Sequence, residues 1–396
     1  MITMKKIYLF VAIMAMTMLA GCAKMDSPGG AYDGAMPGDP SSNDKDSTTT
    51  QWESITAGEW NDLDHWYFWS DLMQGQHEGN YSQYNGVWGF NTDGVVRLVV
   101  RDDNEKAICN VPVALCTDDS IVWQSRTNNH GEAALWVNLY GGAVDESSLW
   151  VKVDTMRMTE KPIVTKWGDE MIINVYHYPH YEARLALQVA FIVDATGSMY
   201  DEMDFLQEDL SNIINSVQSW NASLEIQTAA MVYRDTKDEY LTRVSNFTTD
   251  LGTTQSFINQ QDADGGGDWP EAVHTALEKS LTDLSWQDGC RARLVFLILD
   301  APPHEDDQIK ASVRHSIKEY ASKGIRLIPV TASGIDRSTE FLLRYMAMAT
   351  DGTYIFITDD SGIGNSHLEP TVGDYEVKLL RDLIAEIMIR YLDVEK

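Results

Sequence analysis

The pattern of hydrophobic and polar residues changes twice along the chain. From Gly94 onward apolar and polar residues alternate, with Val96, Leu98 and Val100 on one side and Arg97 on the other. This period of two predicts half-buried strands. Further short strands, separated by turn residues, are predicted at Val111–Leu115, Ile121–Gln124, Ala133–Val137, Leu149–Val153 and Met171–Tyr178. Strands of this length and spacing are typical of a small β-sandwich.

After Tyr181, nearly continuous apolar strands alternate with amphipathic helices. Strands are predicted at Leu187–Val193, Leu224–Tyr233, Tyr240–Phe247, Leu294–Leu299, 325–331 and 353–358. Helices are predicted at 201–219, Pro270–Leu284, 307–322, 338–349 and 375–392. This alternation predicts a doubly wound α/β fold whose mostly parallel sheet is covered on both faces. The hairpin-like pair at 224–247 adds one antiparallel edge strand.

The first residues have the features of a secretory signal. Lys5 and Lys6 precede the apolar run Ile7–Ala20, which is too short to cross a bilayer, since a spanning helix needs about 20 apolar residues. The run ends in Leu19-Ala20-Gly21-Cys22, which resembles the bacterial lipobox. We therefore predict a signal peptide over 1–21 and lipidation of Cys22, with the outer membrane or cell surface of a bacterium as the location. The alternative is an ordinary cleaved signal in which the cysteine is accidental.

Residues 22–50 are rich in Gly, Pro, Ser, Asp and Thr and have no apolar period, which predicts a flexible tether. Residues 51–92 are instead dense in aromatic side chains: Trp52, Trp60, Trp66, Tyr67, Phe68, Trp69, Tyr81, Tyr84, Trp88 and Phe90. They could form a sugar-stacking platform or pack against a neighbouring sheet. Packing is the preferred interpretation, because aromatic residues at this density usually supply core area.

The charge balance excludes one class of partner. The chain has 30 basic and 60 acidic residues and a net charge of −30. Nucleic acid is therefore not expected as a partner, since phosphate binding needs a basic face. A chain this acidic is also repelled by anionic lipids, so contact with a membrane is expected only through the lipid anchor.

The cysteines do not suggest a disulfide framework. Cys109 and Cys116 are predicted to lie in one extended strand, about 23 Å apart at roughly 3.3 Å per residue. A disulfide needs Cα atoms within about 7 Å. Cys290 is distant in sequence, and Cys22 is assigned to lipid.

Candidate chemistry lies at the ends of two apolar strands. Asp194 ends the first and opens Asp194-Ala195-Thr196-Gly197-Ser198, and Asp300 ends another. In an open α/β sheet, ligands gather at the carboxyl ends of the strands. Carboxylate and hydroxyl oxygens are the ligands that Mg²⁺ prefers. The sequence therefore predicts a magnesium site here, with Mn²⁺ or Ca²⁺ as alternatives.

These residues resemble the von Willebrand factor A domain, whose metal-ion-dependent adhesion site begins with Asp-x-Ser/Thr-x-Ser. The resemblance covers about 183–395 and assigns Asp194, Thr196 and Ser198 to the first loop and Asp300 to the third. The second loop usually carries a Thr, and here the sequence Gly265-Gly266-Gly267-Asp268-Trp269-Pro270-Glu271 places Asp268 in that role. This variant resembles the subgroup in hemicentin and α-kinase-associated A domains, which also carry a Tyr-Arg-Asp like Tyr233-Arg234-Asp235. A third carboxylate is expected to hold the ion more firmly and to attract an incoming carboxylate less.

The same resemblance divides the chain into domains. It implies an A domain over 183–396, preceded by the aromatic segment and the β-sandwich over 51–180. The stretch from Val99 through Val137 more loosely resembles the carboxypeptidase regulatory-like (transthyretin-like) sandwich, which is usually a spacer.

Simpler roles are open for the same side chains. Ser198 with Asp201, and Asp268 with Glu271, have the spacing of helix caps, and Asp300 could be a turn residue. The meeting of these residues at the one end of the sheet where a site belongs favours metal binding over capping alone. Asp235 and His304 are expected at the rim of the site.

The predicted function is binding of a protein or glycoprotein partner through an ion with an open coordination position. A structural subunit of a surface assembly is an alternative, with the Trp-rich region as its interface and the metal needed only for folding. A metal-assisted hydrolase is a further alternative, in which His304 or Glu305 would be the general base. No spacing specifies such a pair, so an enzyme is not expected.

Overall fold

The computed structural model describes residues 55–77, 80–267, 269–361 and 367–394, all of which fall in one compact unit. In chain order the strands are β1 (Thr56–Trp60), β2 (Val95–Arg101), β3 (Pro112–Cys116), β4 (Ile121–Arg126), β5 (Glu132–Trp136), β6 (Trp150–Val153), β7 (Met156–Arg157), β8 (Ile173–His177), β9 (Arg184–Asp194), β10 (Glu225–Tyr233), β11 (Thr242–Thr248), β12 (Cys290–Leu299), β13 (Arg326–Thr331), β14 (Tyr354–Ile357) and β15 (Lys378–Leu379). The helices are α1 (Trp66–Met73), α2 (Gln83–Trp88), α3 (Tyr200–Trp220), α4 (Leu251–Ile258), α5 (Val273–Thr282), α6 (Asp307–Lys323), α7 (Arg337–Ala349) and α8 (Leu380–Arg390). The predicted signal peptide, Cys22, the tether and Asp268 lie outside the described residues.

The main sheet has eight strands in the order β11-β10-β9-β12-β13-β14-β1-β15. The five strands from β10 to β14 pair in parallel, and β11 runs antiparallel to β10 at the edge. The parallel part of the sheet and the edge strand β11 agree with the prediction, but the whole sheet is mixed, because β1 runs antiparallel to β14 and β15. Parallel strands place their carboxyl ends at one edge of the sheet, which is where the candidate site lies.

Both faces of this sheet are covered, which explains the nearly continuous apolar strands. On one face α3 and α8 pack against side chains such as Phe191, Phe296 and Ile355. On the other face α5, α6 and α7 pack against the alternate side chains, in a core that continues into the N-terminal half. The helix α4, which was not predicted, covers part of β10 through Ile258 and Thr254.

The predicted sandwich is present as two small sheets, β5-β2-β8 and β4-β3-β6-β7. One prediction within it is wrong. Cys109 does not share an extended strand with Cys116, because β3 begins at Pro112 and Asn110 before it turns the chain with a φ of 60°. The thiol of Cys109 instead donates to the carbonyl of Arg291 at 3.4 Å, and the three described cysteines are free.

The aromatic segment connects the two halves of the molecule. Its strand β1 lies in the main sheet, antiparallel to β14, so the predicted division near 180–183 does not hold for these residues. The ring of Trp69 stacks on Phe341 of α7 at 5.8 Å. Trp88 is buried nearby and donates from Nε1 to Ser338. The packing interpretation is confirmed for most of the described aromatic residues, although Tyr67 is 73% exposed.

A buried ion-pair network reinforces this connection. Arg344 on α7 is fully buried and donates from Nη2 and Nε to the two carboxylate oxygens of Asp62, at 2.6 and 3.0 Å. Its Nη1 lies 3.5 Å from Glu340, which also accepts a 2.6 Å hydrogen bond from the Tyr81 hydroxyl. The aromatic segment is therefore held to the main sheet by charge as well as by packing.

Within the described ranges, none of the helices combines the length and apolarity that crossing a membrane would require.

Candidate metal centre

Asp194 and Asp300 lie next to each other at the carboxyl edge of the sheet. Asp194 is the last residue of β9, and Asp300 directly follows β12, which pairs with β9 in parallel through Val193 and Ile298. Both side chains are buried, Asp194 completely and Asp300 to all but 7%. The sheet thus brings together two carboxylates that are 106 positions apart in the sequence.

The first loop turns its hydroxyl groups towards these carboxylates. Asp194 Oδ1 accepts hydrogen bonds from the backbone N–H and the hydroxyl of Thr196, at 2.9 and 2.7 Å. The exposed Ser198 lines the same cleft as Asp300, and its hydroxyl acts to lower the pKa of that carboxyl group against the effect of burial. Because α3 begins at Tyr200 with no side-chain cap, the capping role considered for Ser198 is wrong.

A run of three glycines forms the opposite wall of the cleft. Gly265, Gly266 and Gly267 have φ values of 84°, 77° and 147°, a region that favours glycine. A Cβ on Gly266 would lie 3.0 Å from Glu271 Oε1 and 3.3 Å from Thr196 Cβ. The glycines let the backbone approach the first loop closely.

Arg234 and Asp238 fix the glycine run against the first loop. Arg234 is buried and donates from Nε to the carbonyl of Ala195 and from Nη2 to the carbonyl of Asp262, at 3.0 and 2.8 Å. Asp238 Oδ2 accepts from the backbone N–H groups of Asp235 and Gly266, at 3.0 and 2.9 Å. These two side chains set the width of the cleft.

The cleft itself is open and has a volume of about 560 Å³. Its lining combines hydroxyl, carboxylate and glycine backbone groups with one aromatic ring: Thr196, Gly197, Ser198, Gly265, Gly266, Gly267, Trp269, Glu271, Asp300, Ala301, Ser333 and Gly334.

Burial and mutual repulsion disfavour the charged form of the carboxyl groups in this region and raise their pKa values. Burial, with the charge of Asp300, raises the pKa of Asp194 to about 7. Burial, with the charges of Asp194 and Asp235, raises the pKa of Glu271 to about 9. Burial is also the main cause that raises the pKa of Glu202 to about 8 and that raises the pKa of Asp300. Four neighbouring carboxyl groups thus lack a compensating positive charge.

Three buried oxygens at this centre have no hydrogen-bond partner: Asp194 Oδ2, Glu271 Oε2 and the hydroxyl of Tyr233, which lies among the same carboxyl groups. A buried acceptor that is left unpaired is costly and calls for a partner, such as an ion. Across the described ranges, no three Asp, Glu, His or Cys side chains form a ready-made metal site. The hydroxyls of Thr196 and Ser198 complete an oxygen-only set, which suits a hard divalent cation.

The residues expected at the rim form a pair. His304 Nε2 lies 2.8 Å from Asp235 Oδ1, and Asp235 is buried. Although burial opposes it, hydrogen bonds from His304 and Thr236 lower the pKa of Asp235. Pro303, which precedes His304, forms a short parallel bridge with Glu271, so the pair adjoins the cleft.

Sequence reasoning assigned no metal-site role to Glu271, Glu202, Arg234 or Asp238. Glu271 was considered only as a cap, but α5 begins at Val273 with Ala272 at its N-cap. Its backbone N–H instead donates to the carbonyl of Pro302 at 2.9 Å, which draws it towards the Asp300 loop. The only available signal was its place at the end of the glycine-run motif.

Gly266→Ala is expected to weaken Mg²⁺ binding by about tenfold, the size of effect seen when groups that orient metal ligands are disturbed. The added methyl group would press on Glu271 and Thr196. Gly141→Ala is the matched control, because Gly141 has a similar φ of 81° and nothing within 4 Å of its added Cβ. Both variants carry the strain of an alanine at positive φ, so calorimetric titration should separate them. Equal Mg²⁺ affinities would contradict the assignment of the glycine run to the site.

Comparison with known proteins identifies the region that carries this centre. Residues 188–361 match the model of the von Willebrand factor A domain family. The putative ariadne-like RING finger protein R811 of Acanthamoeba polyphaga mimivirus is 30% identical over 131 residues, which cover 33% of this chain and 12% of that protein. The alpha-protein kinase vwkA of Dictyostelium discoideum is 24% identical over 276 residues, which cover 68% of this chain and 43% of that protein. The match thus spans less than half the length of each of these relatives. The comparisons support a von Willebrand factor A domain over 188–361, and such a domain suggests a role in protein interaction or adhesion.

Proposed function

We propose that the von Willebrand factor A domain over 188–361 binds a protein or glycoprotein partner through a divalent cation, and that the chain is held at a bacterial surface by a lipid on Cys22. The family match supports the binding role. The geometry of the cleft supports the cation. The location is supported by the sequence Leu19-Ala20-Gly21-Cys22 and by the polar stretch 22–50 that follows.

The observation that carries the proposal is the pair of unpartnered buried carboxylate oxygens, Asp194 Oδ2 and Glu271 Oε2. In the proposed state Asp194, Thr196, Ser198 and Asp300 hold the cation, and Asp268 is the further proposed ligand. When bound, the cation supplies positive charge for these carboxylates and an open position for an oxygen of the partner. We propose Mg²⁺ as the ion, with Mn²⁺ or Ca²⁺ as alternatives.

The chain's own residues keep this position accessible. The Arg234 side chain and Asp238 fix the glycine run, and Ser198 lies exposed at the cleft. An exposed ligand group at an open cleft suits capture of a partner better than a closed structural site does. The described part of the Trp-rich region is largely buried, so nothing in it favours its use as the interface of a structural subunit.

The test combines partner retention with thermal stability. Proteins bound to the chain on intact cells are captured with and without EDTA, and melting of the purified chain is followed under the same conditions. The proposal predicts that EDTA releases the partner and that Ser198→Ala reduces capture in Mg²⁺. If EDTA lowered the melting temperature while the partner stayed bound, the metal would serve folding only and the proposal would be wrong. Cys22→Ser should release the chain from the membrane fraction without changing Mg²⁺ binding.

A further inference from the structure

Three loops that surround the cleft are unusually acidic. We call the segments 198–204, 262–271 and 300–307 the cleft loops; each contributes residues to the lining of the cleft, and the first and third run into α3 and α6. The cleft loops carry eleven Asp or Glu in 25 residues, against 60 in 396 for the whole chain, and they contain no Lys or Arg. The acidity is therefore concentrated at the site and is not merely the average of an acidic chain.

Three basic side chains near the cleft loops already have partners. His304 in the third cleft loop contacts Asp235 at 2.8 Å, and Lys310 just beyond it lies 4.0 Å from Glu305. Arg234 is buried and donates to backbone carbonyls. None of these three groups leaves a positive charge directed at an incoming anionic ligand.

Two aromatic rings are exposed in the cleft loops. Trp269 lines the cleft and is 46% exposed, which makes it the most exposed tryptophan in the described ranges. Tyr200, two residues after Ser198, is 58% exposed. Exposed aromatic side chains beside a cleft are typical of surfaces that become buried on binding. By contrast, the described tryptophans of the aromatic segment are buried.

A second observation points to a ligand at the same place. Glu271 lines the cleft with only 4% of its surface exposed, and its Oε2 has no hydrogen-bond partner. The acidic rim is thus built around buried groups that lack a positive neighbour.

We infer that the partner presents a Lys- or Arg-rich surface to the cleft loops, accommodates Trp269, and offers the cation a neutral oxygen, from a hydroxyl or an amide, and not a carboxylate. This inference rests on the proposed function. Like charges across an interface disfavour wrong partners, and opposite charges steer association. A carboxylate would approach the exposed acidic residues of the cleft loops, such as Asp264, Glu305 and Asp306, without any compensating Lys or Arg in those loops. A hydroxyl or amide oxygen approaches without that repulsion.

The test selects peptides with the full chain itself. A display library of random peptides is panned on the full chain in Mg²⁺, and bound peptides are eluted with EDTA. The enriched peptides should carry net positive charge and Ser, Thr, Asn or Gln without a required Asp or Glu. Enrichment of peptides that depend on an Asp or Glu would overturn the inference.

Matched variants locate the effect. For the best synthetic peptide, Trp269→Ala should reduce affinity at least tenfold. Glu305→Gln should reduce it severalfold, and raising the salt concentration should shrink that difference, because exposed charges are screened. Glu170→Gln, which removes the same charge from an exposed position in the sandwich, is the control and should change affinity little. Equal losses for Glu305→Gln and Glu170→Gln would contradict a specific role for the cleft loops.

Separate measurements test the cation site and the basic partner. Calorimetry with Mg²⁺ alone tests the cation site, and absence of Mg²⁺ binding would remove the proposed function. Mg²⁺ binding together with selection of acidic peptides would leave the proposed function standing and reject only the basic partner.

Discussion

Replacing Asp194 with Asn is expected to abolish Mg²⁺ binding to the chain, with a loss of affinity of at least about 100-fold, the upper end for groups that support a metal site. Asp194 is fully buried, and its Oδ2 has no hydrogen-bond partner, so this carboxylate is available to a cation; the unpartnered hydroxyl of Tyr233 is a neighbouring group that also acts on it. Asn has nearly the same shape, and its Oδ1 can still accept from Thr196. The variant therefore removes charge with little change in packing.

The free energy of unfolding of Asp194→Asn gives a second test, because the substitution should not destabilise the cation-free chain but should remove the stabilisation by Mg²⁺. Without a cation, the charge of Asp194 is opposed by burial and by Asp300, which is why its pKa is raised to about 7. Asp194→Asn should therefore leave the cation-free chain at least as stable as the wild type. In Mg²⁺ at 100 times its dissociation constant, the wild type should gain about 2.7 kcal/mol and the variant nothing.

Isothermal titration calorimetry and urea unfolding, each with and without Mg²⁺, check both expectations. Glu170→Gln serves again as the control for loss of a distant charge. If Asp194→Asn bound Mg²⁺ as tightly as the wild type, the cation would have to lie elsewhere.

Arg344→Met is expected to lower the free energy of unfolding by about 3–5 kcal/mol, the range for removing one partner of a buried ion pair. The guanidinium is fully buried and contacts both oxygens of Asp62, and it also lies near Glu340. Methionine fills much of the space but leaves Asp62 with only the 3.0 Å hydrogen bond from Trp60 Nε1. The cost is thus chiefly that of an uncompensated buried carboxylate.

A nearby arginine supplies the matched control for this prediction. Arg337 lies 2.7 Å from the same Glu340, but its side chain is 37% exposed. Arg337→Met should cost no more than about 1 kcal/mol, because solvent weakens exposed pairs. Urea denaturation of both variants and of Arg344→Met/Asp62→Asn measures the difference. The double variant should be less destabilised than the sum of the single changes, and simple additivity would show that the two side chains are not coupled.

The sequence predicted the parts of the fold that follow from local periodicity. Strands such as β9 and β12 are apolar along their length because helices cover both faces, and this pattern needs no knowledge of distant residues. The position of β1 could not be predicted in this way. Its place between β14 and β15 depends on pairing with distant residues, such as Ile357, which lies 300 positions after its partner Ala57. Tertiary pairing of this kind leaves no local signal.

The aromatic segment shows the same limit. Its density predicted packing, but its partners Phe341 and Tyr345 lie on α7, far along the chain. Helices α1 and α2 are short, with 8 and 6 residues, and begin without a side-chain cap that would have marked them. The composition therefore indicated that the aromatic residues are buried, and the structure shows that several of them pack against α7.

The candidate site was predictable where chemistry coincides with strand ends. Asp194 and Asp300 follow apolar strands, and the structure brings them together with Thr196 and Ser198. Glu271 was missed because a carboxylate near Pro270 resembles a helix cap. Asp268 remains a predicted ligand.

The most direct test of the cation site is a crystal structure of the chain soaked in Mn²⁺, with anomalous scattering recorded to locate the metal. One strong anomalous peak is expected in the cleft, within coordination distance of the hydroxyl oxygens of Thr196 and Ser198 or of a water held by Asp194 and Asp300. A cleft without an anomalous peak at saturating Mn²⁺, or a peak only at a distant acidic surface, would contradict the proposed cation site.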